Sequence, residues 1–249
     1  MLAITMRELR SMFRSPLAWT LLAVVQFILA WIFLVQVEEF MQIQPRLAKL
    51  ATAPGITDLV ATPLLSSASL IIMFLIPLMS MRLFSDEYRS GTFSLLLSAP
   101  ISMTSIVLGK YLALMLFLTL LLVVTAAMPL SLLLGGSLDL GKLSAGLLGL
   151  ELALTSFAAI GLFFSSITSR PTVAATGTYG LLLFLWVINL ASGAGEQGSA
   201  LFAWISPLSH LQNMFSGLVS SADLIYFLLL TISFLALSIR RLESRRGQN

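Results

Sequence analysis

Long stretches without a charged residue constrain most strongly what this chain can fold into. The first of them, residues 17–35, runs for 19 residues with no charge, and five similar stretches follow along the 249 residues. A hydrocarbon core about 30 Å thick requires roughly 20 mostly apolar residues per helix. Because each stretch has about that length, the sequence predicts an all-α integral membrane protein with six transmembrane helices. The predicted spans cover residues 17–36, 64–84, 106–133, 143–165, 172–192 and 220–239.

Composition excludes two other classes of protein. Only 10% of the residues are charged and 58% are hydrophobic, whereas a soluble domain has about 25% charged residues. Neither a soluble domain nor a disordered chain could keep so much apolar surface away from water.

The positions of lysine and arginine predict how the spans are oriented. With both termini in the cytoplasm, the cytoplasmic segments hold 11 of the 14 basic residues and the opposite segments hold three. The positive-inside rule favours this arrangement. We therefore expect a multi-pass protein of the bacterial inner membrane. The alternative for the first span is a cleaved signal peptide, but the apolar stretch is too long for one and no A-x-A-like site follows it near Val35.

Few residues suit metal or covalent chemistry. The chain has no cysteine and one histidine, His210, which excludes disulfides, thiolate metal sites and bis-histidine haem. Residues 136–142 read GSLDLGK and match the G-x-x-x-x-G-K pattern of phosphate-binding loops. However, Leu143 follows where that motif requires Ser or Thr for magnesium. We expect a tight turn there, and no cofactor in this chain.

The N-terminal segment predicts a basic amphipathic helix. Leu2, Met6, Leu9 and Phe13 recur at helical spacing on one face of residues 2–15. Such a helix next to a span lies along the inner membrane surface. It serves either as a lipid anchor or as a docking surface for a partner protein.

The segment between spans two and three combines charges with apolar residues. Asp86, Glu87 and Arg89 indicate exposure to water, whereas Phe93 begins an apolar run. A short helix of this kind, held between two rigid spans, suits a groove on another protein. A solvated loop is the alternative, but it does not account for the apolar run.

The motifs of this region resemble permease subunits of type-2 ABC transporters. The most specific is E-x-x-S-G-T-x-x-x-L-L-x-x-P, which begins at Glu87. The resemblance runs nearly end to end and is strongest to the gliding-motility and copper-processing branch. Further matching segments are Arg7-Glu8-Leu9, Ser15-Pro16, residues 77–82, Gly109-Lys110, residues 160–163, residues 165–168 and Ser206-Pro207.

The resemblance implies a six-helix half-transporter that forms a homodimer and carries one separate ABC ATPase subunit per half. ATP and magnesium would bind to that ATPase. It assigns ATPase contacts to residues 2–15, to a cytoplasmic coupling element at 86–98 and to the turn at 165–170. The implied contact residues are Leu2, Met6, Arg7, Leu9, Arg10, Phe13, Asp86, Glu87, Tyr88, Arg89, Ser90, Gly91, Thr92, Phe93, Leu96, Ser166, Thr168 and Arg170.

The resemblance also assigns an outer gate to a helical hairpin at residues 193–219, which would dip into the outer leaflet before span six. The implied gate residues are Trp204, Pro207, His210 and Phe215. Further expected partners are membrane lipid and an auxiliary membrane protein with a periplasmic domain; nucleic acid is not expected. This chain departs from the family pattern at Ser94, where relatives carry an acid, and at Glu151, where they are apolar.

Glu151 lies eight residues into span four, and a charge at a span centre costs about 2.5–3.5 kcal/mol on insertion scales. We therefore expect it to face protein or water. It lines the translocation path, is a protonated acid hydrogen-bonded to a neighbouring helix, or lies near the outer boundary of the membrane.

These observations favour a non-catalytic permease that couples ATP hydrolysis in a partner to substrate export or to force transmission. The alternatives are a membrane scaffold without transport and an intramembrane serine protease. The protease would require a base within the membrane, and the only histidine lies in the outer segment. The cargo cannot be read from the sequence.

Overall fold

The computed structural model describes residues 1–47, 54–92, 102–135, 137–192 and 199–246, and every regular element in these ranges is helical. A π-helical turn (Thr57–Ala61) precedes α3, and a 3₁₀ turn (Leu132–Leu134) follows α5. The α-helices are α1 (Leu2–Arg14), α2 (Pro16–Leu47), α3 (Thr62–Ser80), α4 (Arg82–Arg89), α5 (Met103–Ser131), α6 (Leu140–Ile167), α7 (Pro171–Ser192), α8 (Ser199–Ile205), α9 (Pro207–Phe215) and α10 (Ser221–Arg246).

Six helical segments are long and apolar enough to cross a membrane, which confirms the predicted six-span, all-α class. Several extend beyond the predicted spans because the helices continue into polar sequence; α2 includes Glu38 and Glu39 and ends only at Leu47. The second span joins the π-helical turn, α3 and α4. The six segments are Pro16–Leu47, Thr57–Arg89, Met103–Leu134, Leu140–Ile167, Pro171–Asn189 and Ser221–Arg246.

Helix α6 is the centre of the bundle and packs against α3, α5, α7, α9 and α10. Small residues on α6 make this possible. A Cβ atom on Gly161 would lie 2.2 Å from Ser80 Oγ of α3, and one on Gly149 would lie 2.8 Å from Met214 Cβ of α9. The small residues of α6 therefore serve close helix packing within one chain.

Two ends of the bundle can be distinguished by their contacts. The terminal end carries α1, α4, the start of α5 and the last turns of α6 and α10. The opposite end carries α8, α9 and the start of α6, where Asp139 caps α6 by accepting from Lys142 N at 3.0 Å. Lys142 also forms an ion pair with Asp58. Lys142, the lysine of the GSLDLGK sequence, is thus paired with a carboxylate. Gly136, the first residue of that sequence, lies outside the described residues.

Helix α1 forms as predicted and ends at Ser15, whose extended backbone precedes Pro16. Its packed side differs from the apolar stripe in the sequence. Thr5 is buried against the bundle, whereas Leu2 and Met6 are 81% and 59% exposed. A Cβ atom on Gly109 of α5 would lie 3.0 Å from the Ile4 side chain, so α1 sits close on α5. The start of the stripe is therefore exposed, whereas Phe13 at its other end packs against Phe117 of α5.

Candidate docking face and polar sites

The terminal end holds a charge cluster formed by the exposed Arg7, the partly buried Glu8 and Glu87, and the buried Lys110. Lys110 is 1% exposed, and its Nζ donates to Glu87 Oε1 at 2.8 Å, to Glu8 Oε1 at 3.1 Å and to Leu83 O at 2.7 Å. Arg7 Nη2 completes the cluster at 2.7 Å from Glu8 Oε1 and 3.2 Å from Glu87 Oε1. The cluster joins α1, α4 and α5 through side chains that are up to 102 positions apart.

The cluster satisfies the requirements of a buried ammonium group. Its three acceptors match the three N–H donors of a lysine. Burial alone would raise the pKa of Glu8, but the charges of Lys110 and Arg7 outweigh burial and hold that pKa below its ordinary value. The hydrogen bond to Glu8 raises the pKa of Arg7. Loss of Lys110 would therefore leave the carboxylates of Glu8 and Glu87, each with only 15% of the side chain exposed, without the cation that they share.

A serine joins α4 to the central helix α6. Ser165 Oγ accepts from the backbone N–H groups of Phe84 at 3.0 Å and Ser85 at 3.3 Å, and it donates to Met81 O at 3.0 Å. The first backbone N–H groups of a helix have no acceptor within that helix, and α4 has no side-chain cap of its own. The Ser165 hydroxyl supplies the acceptor for two of these N–H groups. The position of α4 is thus fixed to α6.

The C-terminal helix closes the same end. Arg245 Nη2 donates to Ile167 O, the last residue of α6, at 2.8 Å. Its guanidinium carbon lies 4.5 Å from the centre of the Tyr88 ring on α4, a distance suited to a cation–π contact. The sequence identified Lys110, Ser165 and Arg245 as members of motifs or basic segments. It contained no signal that they meet α4.

The structure sorts the predicted ATPase contacts by exposure. Leu9, Phe13, Glu87, Tyr88 and Thr168 are partly buried. Ser166 does not belong to the exposed surface, because its side chain is fully buried and donates to Phe163 O. Phe93 and Leu96 lie outside the described residues, as does the rest of the coupling element after Thr92. The exposed members are Leu2, Met6, Arg7, Arg10, Asp86, Arg89, Ser90, Gly91, Thr92 and Arg170.

The coupling element begins as a helix and then turns. Helix α4 ends at Arg89, and Gly91 has φ +72°, a left-handed conformation that glycine adopts without strain. Ser90 Oγ and Thr92 Oγ1 lie 2.9 Å apart in this turn. The S-G-T part of the motif therefore directs the chain away from the axis of α4.

Glu151 lies at the contact between α6 and α5. Thr119 Oγ1 of α5 donates to Glu151 Oε1 at 2.7 Å, whereas Oε2 is buried and has no hydrogen-bond partner in the described residues. One turn further along α6, Thr155 O accepts from Tyr111 OH at 3.1 Å. The geometry therefore places the Glu151 carboxyl against a neighbouring helix with one oxygen available.

The predicted gate residues lie around α9 at the opposite end, where His210 is held on both ring nitrogens. Nδ1 is 2.6 Å from Asp223 Oδ1 and Nε2 is 2.9 Å from Trp204 O. Because a carbonyl only accepts, Nε2 donates to Trp204 O. His210 and Asp223 are both buried, and Nε2 faces a backbone carbonyl instead of a serine hydroxyl. Of the other gate residues, Pro207 and Phe215 are buried and Trp204 is 63% exposed.

The described residues contain no group of three His, Cys, Asp or Glu side chains placed to hold a metal ion. The same residues form a six-span helical bundle with a charged face at the terminal end, and this architecture defines a multi-pass integral membrane protein.

Comparison with known families agrees with that class. The chain belongs to the family described as ABC-2 family transporter protein, whose sequence model matches residues 2–246. It is therefore a permease subunit of an ABC transporter, a multi-pass membrane protein whose family implies an ABC ATPase partner. No curated protein matches the sequence. The gliding-motility and copper-processing branch stays a prediction.

Proposed function

We propose that this permease transmits the energy of ATP hydrolysis in a separate ABC ATPase subunit to substrate export, or to force on a partner across the bacterial inner membrane. The terminal end faces the cytoplasm, so both termini are cytoplasmic. The exposed charges of α1, α4 and the α6–α7 turn form the docking face for the ATPase. ATP and Mg²⁺ bind to that subunit and not to this chain.

The observation that carries the proposal is the charge cluster. It fixes α4, which bears Asp86 and Arg89 on its exposed side, to α1 and α5 through Lys110. Ser165 fixes the same helix to α6. A displacement of the docking face would therefore be passed to the centre of the bundle by short, buried contacts, which suits a coupling device better than a passive anchor.

The remaining assignments follow from the same scheme. Two copies of the permease form the transporter, with one ATPase on each and an auxiliary periplasmic-domain protein as a further partner. Glu151 lines the translocation path, and its second carboxylate oxygen takes up a proton or a cationic group of the substrate. The α8–α9 hairpin, held by His210 and Asp223, forms the outer gate.

Co-expression with an ABC ATPase subunit from the same genome tests the docking face. We expect a complex of equal stoichiometry whose ATP hydrolysis exceeds that of the free ATPase. Arg89→Glu should lower recovery of the ATPase about tenfold or more, because it places a carboxylate in the docking face. Arg46→Glu is the matched control, since Arg46 is an exposed arginine at the opposite end. Equal recovery with both variants would count against the proposal, and a complex without stimulated hydrolysis would favour a scaffold.

The role of Glu151 requires a separate measurement. Glu151→Gln keeps the hydrogen bond from Thr119 but removes the titratable oxygen. We expect it to reduce transport-coupled ATP hydrolysis while the complex still assembles. Unchanged coupling would remove Glu151 from the translocation path and leave it a structural hydrogen-bonding residue.

A further inference from the structure

A cavity of about 440 Å³ opens between α1, the first turn of α2, the last turn of α3 and α4. Its volume is in the range of small-molecule sites, about 300–1,000 Å³. Leu17 and Ala18 lie in the first turn of α2, and Leu78 and Met79 lie in the last turn of α3 just before the charged helix α4, so the cavity lies where apolar helix meets charged helix. Its walls are therefore apolar on the span side and charged on the side of α1 and α4.

The charged wall contains equal numbers of cations and anions. Arg7, Glu8, Glu87 and Lys110 neutralise one another in the charge cluster. The other two lining charges are Arg82 and Asp86. They are exposed and stand four positions apart on one face of α4. Neither side chain has a hydrogen bond or ion pair with any described residue. Among the residues that the structure describes, the cavity thus offers one cation and one anion side by side without a partner.

A buried acceptor adds to this pattern. Glu87 lines the cavity, and its Oε2 has no hydrogen-bond partner within the described ranges, although Oε1 receives Lys110 and Arg7. Such an acceptor costs free energy unless a donor reaches it. A ligand with N–H donors close to Asp86 would also supply the missing partner of Glu87.

We propose that this cavity binds the headgroup of a phospholipid that carries a primary ammonium, of the phosphoethanolamine type. Arg82 binds the phosphate, because a guanidinium matches phosphate oxygens in a bidentate arrangement. The ammonium donates to Asp86 and to Glu87 Oε2. The glycerol and the first acyl carbons lie against Leu17 and Met79. The apolar wall is the reason to assign a lipid rather than a soluble aminoalkyl phosphate.

Other phospholipids fit the charges less well. A choline headgroup has the same two charges but no N–H donor for Asp86 or Glu87 Oε2. A glycerol headgroup has no cation and leaves Asp86 opposite a phosphate. The structure therefore predicts discrimination by headgroup chemistry and not by net charge alone.

Native mass spectrometry of the purified, delipidated full chain tests the proposal, with phosphatidylethanolamine, phosphatidylcholine and phosphatidylglycerol added in turn. We expect the ethanolamine lipid to bind about tenfold more tightly than the choline lipid, the ratio typical of one charge-assisted hydrogen bond. Equal affinities would overturn the proposal. Displacement of the lipid by soluble phosphoethanolamine at the same concentration would overturn the assignment to a lipid.

Two variants separate the two charges. Asp86→Asn should lower binding of the ethanolamine lipid severalfold and that of the choline lipid less, because choline loses only the attraction of the Asp86 charge and no hydrogen bond. Arg82→Gln should weaken both lipids alike, because both contain the phosphate. Arg14→Gln is the control, an exposed arginine of α1 that does not line the cavity, and it should change neither. A preference for the ethanolamine lipid that Asp86→Asn does not reduce contradicts the proposal. The ATPase is absent from this assay, so its outcome is independent of the proposed coupling.

Discussion

Replacement of Lys110 tests whether the charge cluster holds the terminal end together. Lys110→Met keeps the length and most of the apolar stem of the side chain but removes the ammonium. Three hydrogen bonds of 2.7, 2.8 and 3.1 Å are lost. The carboxylates of Glu8 and Glu87, each with only 15% of the side chain exposed, then face each other with Arg7 as their only remaining cation in the cluster.

The size of the effect follows from this burial. Removal of one partner of a buried ion pair costs about 3–5 kcal/mol. Because Arg7 still contacts both carboxylates, we expect the lower end of that range, about 3 kcal/mol. For a chain of 249 residues, each kcal/mol lowers the unfolding temperature by about 2–4 °C. Lys110→Met should therefore lower Tm by about 6–12 °C relative to the unmodified protein in the same detergent.

The control is the same substitution at the opposite end of the bundle. Lys142 pairs with Asp58, but these side chains are 22% and 40% exposed. Exposed pairs contribute about 0–1 kcal/mol, so Lys142→Met should shift Tm by less than about 4 °C. Combining Lys110→Met with Glu8→Gln and Glu87→Gln should recover at least half of the loss, because no partly buried carboxylate is then left without a cation and the Arg7 side chain, which is 60% exposed, is solvated by water. Equal shifts for the two lysine variants would refute the reasoning.

Three further predictions concern packing, pH and the opposite end. Gly161→Ala should cost about 1–3 kcal/mol, because a Cβ atom there overlaps α3. Gly180→Ala, with open space around it, should not lower Tm, and equal losses would contradict the packing account. The pKa of Glu8 lies below its ordinary value of 4.5 in the folded protein. Its contribution to stability is therefore complete above that pH and lost as the pH falls through the folded pKa. A pH–Tm profile should flatten below pH 4.5 in Glu8→Gln, and parallel profiles would rule out this linkage. His210→Gln and Asp223→Asn should be coupled by about 0.5–3 kcal/mol in a double-mutant cycle; additive losses would show that the pair does not interact.

The number of membrane-spanning helices could be predicted from the sequence, because an uncharged apolar run of about 20 residues is typical of a transmembrane helix. The ends of the helices could not. Helix α2 continues past Glu38 to Leu47, and α10 continues to Arg246. Both helices continue beyond their apolar part into polar sequence. Hydropathy locates the end of the apolar part and not the end of the helix.

The packed side of α1 was not predictable from hydrophobic periodicity. That pattern assumes that apolar residues face the protein and polar residues face water. In this helix Leu2 and Met6 of the stripe are exposed, whereas Thr5 and Glu8 turn towards the bundle together with Phe13. The sequence shows the stripe correctly but does not indicate which solvent meets it.

The candidate docking face was predictable in outline only. Its motifs lie in the sequence, but the pairing of Glu8 with Lys110 spans 102 positions and that of Ser85 with Ser165 spans 80. Neither pairing leaves a local pattern. Glu87 is an example: its charge predicted exposure to water, but in the structure it is partly buried and accepts a hydrogen bond from Lys110.

The claim that the terminal end binds an ABC ATPase is tested most directly by cysteine cross-linking. The chain contains no cysteine, so a single Arg89→Cys variant carries the only reactive thiol. With a short bifunctional reagent and the co-expressed ATPase, this variant should yield a permease–ATPase product, whereas Arg46→Cys at the opposite end should yield none. A cross-link from Arg46→Cys without one from Arg89→Cys would place the ATPase at the other end and contradict the account.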